Sequence, residues 1–164
     1  MSLSLGYMNT SGRRLQSETE NLADETSFIE IQAHDKLRNS KFDFSISERF
    51  EGYITIHGEG ETDGIRRIRF SHPDNDVRRN YVESNARFYL AVANSLGVER
   101  VRRIILHPDT ATSNEKPRDQ LRRMTESLAE LHDMLPRSLQ LCIEPRGGRS
   151  RRKVLTLDLE DLVT

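Results

Sequence analysis

The chain has 164 residues, 35% of them hydrophobic and 31% charged, and its 25 basic and 26 acidic side chains leave a formal net charge of −1. That length can bury one real core, so a single domain over residues 1–164 is expected without a disulfide or metal staple. The near-neutral charge argues against a nucleic-acid partner. No apolar run approaches the roughly 20 residues of a membrane span.

The opening Met1-Ser2-Leu3-Ser4-Leu5 has no basic segment leading into an apolar core, so no secretory signal is expected. The one cysteine, Cys142, has no internal disulfide partner, which together with the missing signal makes a cytoplasmic protein the expectation.

Short apolar runs that start and stop abruptly recur along the chain and predict strands over residues 3–8, 28–32, 53–57, 101–107 and 139–144. Residues 12–24 predict a short helix carried by Leu15, Leu22 and Ala23. Between the third and fourth runs Val82, Ala86, Tyr89, Leu90, Ala93 and Leu96 recur at three- and four-residue steps, predicting a helix over 77–96. Asp74 or Asp76 can cap its start and Gly97 its end. Leu121, Met124, Leu128, Leu131 and Leu135 predict a second long helix over about 115–135, with Pro117 in its first turn and Pro136 past its end. Val154-Leu155-Thr156 and the apolar spacing of 157–163 open one further unit.

Alternating strands and helices predict a parallel α/β sheet, and the continuous runs Ile104-Ile105-Leu106 and 139–143 predict strands buried on both faces. In such sheets ligands meet the carboxyl ends of strands. The third run ends in Ile56-His57-Gly58-Glu59, the fourth in Leu106-His107-Pro108-Asp109, and the fifth in Ile143-Glu144-Pro145-Arg146. His57, His107 and Glu144 together are donors for a divalent ion such as Zn or Mn, with a position left for water. Glu30, a carboxylate in the apolar run Phe28-Ile29-Glu30-Ile31, is either an inward residue paired to a neighbour or a substrate-binding or acid/base carboxylate, and His34, just past the same strand, is a further candidate substrate-binding residue. Arg146 begins a basic loop in which five of eight residues through Lys153 are basic, a candidate phosphate clamp. His72 and His132 sit in a polar loop and beside a helical stripe, and are expected to be solvated.

Tyr53-Ile54-Thr55-Ile56-His57, Arg69-Phe70-Ser71-His72-Pro73-Asp74, Ala93-Asn94-Ser95-Leu96-Gly97-Val98, Ile104-Ile105-Leu106-His107-Pro108 and Leu141-Cys142-Ile143-Glu144 together resemble the xylose isomerase-like TIM barrels. That superfamily includes sugar-phosphate isomerases and epimerases and the endonuclease IV type of apurinic endonuclease. The resemblance covers residues 28–144. It implies a (β/α) barrel, a sugar or sugar phosphate as substrate, strand-end histidines at His57 and His107, and a metal carboxylate at Glu144 that also serves as the catalytic base. The endonuclease branch follows its HP with glycine and its glutamate with asparagine; this chain has Asp109 and Pro145, which weakens the alternative of an apurinic endonuclease-like nuclease without removing it.

A complete barrel has eight strands and about 250 residues. The sequence supplies five to six β/α units, so the expected fold is an incomplete TIM-type barrel. The open edges of such a sheet predict either self-association into a homo-oligomer or terminal segments that shield the edges. The incompleteness also leaves a different class of function open, a non-catalytic binding or assembly module on the same scaffold.

Overall fold

The computed structural model describes residues 6–9, 20, 27–32, 46–58, 70–109 and 114–144. Five strands and two long helices follow one another as β1 (Gly6–Asn9), β2 (Phe28–Gln32), β3 (Tyr53–His57), α1 (Asn75–Leu96), β4 (Val101–Leu106), α2 (Pro117–Met134) and β5 (Gln140–Ile143). The strands form one sheet in the order β1-β2-β3-β4-β5, every neighbouring pair parallel. This is an α/β architecture wound in one direction, and right-handed crossovers then place α1 and α2 side by side on the same face. Of the expected helix over 12–24 only Glu20 is described, as helical. The basic loop and the expected sixth unit lie outside the described residues.

The two helices start differently, the first on a side-chain cap and the second without one. Asp74 caps α1 by accepting from the backbone amides of Asp76 (2.9 Å) and Val77 (3.1 Å). At its other end Gly97 takes φ +89°, a conformation L side chains rarely adopt. Pro117 occupies the first turn of α2, where the missing N–H costs no hydrogen bond.

The covered face of the sheet is built by alternate residues. Ile29, Ile31, Ile54, Ile56, Ile104 and Leu106 are almost fully shielded and join Val82, Ala86, Tyr89, Ala93, Met124 and Leu131 in one core. Each fully buried isoleucine contributes about 1.5–3 kcal/mol. Burial is not equal on both faces, contrary to the expectation from the continuous apolar runs. Ile105, Leu141, Cys142 and Ile143 are only half-buried.

A β-bulge explains the pattern of β4. Ile54 pairs with Val101 but Thr55 pairs with Arg103, leaving Arg102 as an extra residue. Val101 and Ile104, three apart, therefore both reach the core, while Arg102 and Arg103 are both exposed. Their guanidinium groups lie 5.3 and 5.9 Å from the centre of the Tyr53 ring, which stacks on Phe28.

Two polar residues lie on the buried side of α2 where the apolar stripe does not announce them, Gln120 and Ser127. The Ser127 hydroxyl donates to the Phe70 carbonyl (2.8 Å), and the Arg123 side chain donates to the Ser71 carbonyl (2.9 Å). The Asp109 carboxylate accepts from the Ser71 amide (2.7 Å). These bonds fasten the segment that enters α1 to the rim beyond β4. Asn85 and Val92 likewise join the buried side of α1, whereas Leu90 is half-buried.

Candidate metal centre

The strand pairing determines which side chains meet at the carboxyl rim. His57 pairs with Ile105, and Ile105 with Cys142, so these three share the face opposite the helices. Continuing two residues along β4 and β5 brings His107 and Glu144 to that same face just past the strand ends. The Glu144 amide, donating to the Leu106 carbonyl (2.8 Å), extends the ladder to that point. Neighbouring parallel strands run about 4.8 Å apart, which is within reach of a shared ion.

The close approach of β3 to β4 at the rim depends on Gly58. Its amide donates to the Ile105 carbonyl at 2.6 Å. A Cβ there would lie 2.5 Å from a Leu106 methyl and 2.8 Å from both the Ile105 carbonyl oxygen and the Tyr89 hydroxyl. Only glycine lets the residue after His57 pack so tightly against the next strand.

The three expected ligands converge. His57, His107 and Glu144 each present a donor atom within 4.8 Å of the other two. The two Nε2 atoms are 2.8 Å apart, with ring centres at 4.8 Å. Glu144 Oε2 lies 3.7 Å from His57 Nε2 and 3.9 Å from His107 Nδ1. The histidine side chains are 13% and 17% exposed and that of Glu144 is 54% exposed, so the carboxylate has the freedom to adjust.

Glu30 is paired to a neighbour. Its carboxylate oxygen is 2.6 Å from His57 Nδ1 and its side chain is 14% exposed. The apolar run around it signals a carboxylate with a partner; the pairing of β2 with β3 identifies that partner. Of the other two expected substrate-binding residues, His34 and Arg146 lie outside the described residues. His132 is solvated, its side chain 58% exposed. His72 is half-buried, and its Nδ1 accepts from the Asp74 amide (3.2 Å).

The donor set fits a divalent ion. Two imidazole nitrogens and one carboxylate oxygen with an open position are the ligands of a catalytic zinc site, and the carboxylates of Glu30 and Glu144 together supply a formal −2. Two zinc-bound nitrogens in a tetrahedral site stand about 3.3 Å apart, given Zn–N bonds of about 2.0–2.1 Å. The rings have to part by about 0.5 Å to share such an ion.

Glu30 faces His57 Nδ1, and the Glu144 carbonyl faces His107 Nδ1 across a longer 3.4 Å. Two neutral imidazoles bring two N–H protons to three gaps, so one N–H can face Glu30 and the other either fill the central gap or face the Glu144 carbonyl. In the second arrangement both Nε2 lone pairs are directed at the point a metal ion would take.

No family model matches the chain, and no curated protein matches it.

Proposed function

We propose that this chain is a sugar or sugar-phosphate isomerase or epimerase that holds one Zn or Mn ion on His57, His107 and Glu144, built on an incomplete (β/α) barrel of the xylose isomerase-like kind. The observation that carries the reading is the meeting of three strand-end side chains at one rim of a parallel sheet. Such an ion, when bound, polarises a carbonyl oxygen. His57 and His107 hold their imidazoles toward a common point on shielded, hydrogen-bonded rings. Glu144, the most exposed of the three, is the group a substrate at the rim can reach, and it takes the proton next to the carbonyl and returns it. Arg146 and the basic residues after it are the candidate anchor for a phosphate group. Among the described residues no helix is long and apolar enough to cross a membrane.

The test is metal analysis of the purified protein followed by incubation with sugar phosphates in D2O. One equivalent of zinc or manganese, lost in Glu144→Gln, together with deuterium incorporated next to the substrate carbonyl, is the expected result. A metal-bearing protein that exchanges no proton with any aldose or ketose phosphate sinks the isomerase reading.

A second reading has an observation of its own. The two Nε2 atoms stand 2.8 Å apart, closer than two nitrogens on one tetrahedral zinc, and a hydrogen bond between the rings suits a binding module that kept the scaffold and not the chemistry. Metal content below about 0.1 equivalent at micromolar zinc (Kd then well above 1 μM) selects that reading.

A further inference from the structure

We infer that Glu30 is a positioning residue for His57: its carboxylate holds a proton on Nδ1 and so keeps the Nε2 lone pair directed at the point shared with His107 and Glu144. The consequence for metal affinity rests on the ion-binding reading above, whereas the state of the ring is measurable without any ion.

Three observations support it. The Glu30 oxygen lies 2.6 Å from Nδ1, the distance of a charge-assisted hydrogen bond. Both side chains are largely shielded, 13% and 14% exposed, and a hydrogen bond there is stronger than one in water. The backbone beneath Glu30 is fixed, because its neighbours Ile29 and Ile31 are buried in the core and β2 is paired on both edges. Glu30 pairs with Thr55, one step short of His57 along the strand, and the glutamate side chain has the length to cover that diagonal.

The chemistry requires such a partner. A neutral imidazole in water prefers its proton on Nε2, the nitrogen that here faces His107 and must be bare to bind an ion. An acceptor at Nδ1 reverses the preference, fixes the ring plane and makes Nε2 a better donor. Glu30 thus acts through His57 and touches neither substrate nor ion.

The experiment is long-range 1H–15N correlation of the His57 ring in 15N-labelled full-length protein, metal-free and with one equivalent of zinc, alongside zinc titration of wild type, Glu30→Gln and Glu30→Ala. In wild type the Nδ1 proton is expected in both states, with Nε2 shifted by zinc. Glu30→Ala should move the proton to Nε2 in the metal-free protein and weaken the zinc Kd by about 10- to 100-fold. Glu30→Gln keeps an acceptor oxygen and should retain the Nδ1 proton with a smaller loss. If the alanine variant does not fold by circular dichroism, Glu30→Asp carries the test: one methylene shorter, it should weaken zinc by about 10-fold.

A bare Nδ1 in wild type, or unchanged ring signals and Kd in Glu30→Ala or Glu30→Asp, overturns the inference. A protonated Nδ1 in a wild type that binds no zinc refutes the metal reading and upholds the hold of Glu30 on the ring. Zinc bound equally by all variants refutes the role of Glu30 and leaves the metal reading standing.

Discussion

The two faces of the one sheet obey different rules. Toward the helices, Ile29, Ile31, Ile54, Ile56, Ile104 and Leu106 form an apolar layer from which water is excluded. On the other side, the same three strands carry Glu30, Thr55, His57, Arg102 and Arg103, and Tyr53 packs against both arginines. Apolar burial is concentrated on the first face and the polar cluster on the second. Because strand residues alternate, neighbours in sequence answer to opposite demands: Ile56 is wholly buried while His57 beside it is part of a polar cluster.

Substitutions can break that division. The largest expected effect is on the covered face, where Ile104→Ala removes a fully buried side chain between β3 and β5. It should cost about 2–5 kcal/mol in urea unfolding. On the open face His107→Ala should abolish stoichiometric zinc in equilibrium dialysis while changing stability by less than about 1 kcal/mol, the range for a residue outside the core. A loss of stability matching that of Ile104→Ala would erase the contrast.

Gly58→Ala probes the seam between the faces, since its Cβ meets Leu106 from the core and backbone from β4. Overpacking there should cost about 1–3 kcal/mol. The same change should weaken zinc, because the backbone that displaces also carries His57. Away from both faces, Asp74→Ala removes the cap of α1 and should cost about 1 kcal/mol with zinc binding unchanged.

Much of this arrangement can be read from the sequence because abrupt apolar runs mark strands well. β2 and β3 fall on the expected residues, and β4 ends one residue early, at Leu106. α1 begins at Asn75, two residues before the expected start at Val77, because Asp74 and not Asp76 makes the cap. The rim histidines and Glu144 were legible for the same reason: in a parallel sheet every strand points its end at the same rim, so strand order alone nearly assigns them.

What stayed hidden depends on pairing. Glu30 reads as a carboxylate either paired to a neighbour or facing a substrate, and only the register sets it against His57. Ser127 and Gln120 look like gaps in an apolar stripe, yet Ser127 satisfies the Phe70 carbonyl 57 residues away. The two arginines of β4 read as an interruption in an apolar strand; the extra residue that accommodates them shows only in the pairing with β3. Local periodicity carries no information about partners so distant along the chain.

That extra residue has a further consequence. Alternation works like a two-beat rhythm, and one added beat at Arg102 shifts everything that follows by half a cycle. Counted from Val101 without it, position 107 would fall on the helix side and its imidazole would turn away from His57. The orientation of the rim is therefore set near the opposite end of β4, and lengthening that strand by one more residue would silence the site without touching any of its members.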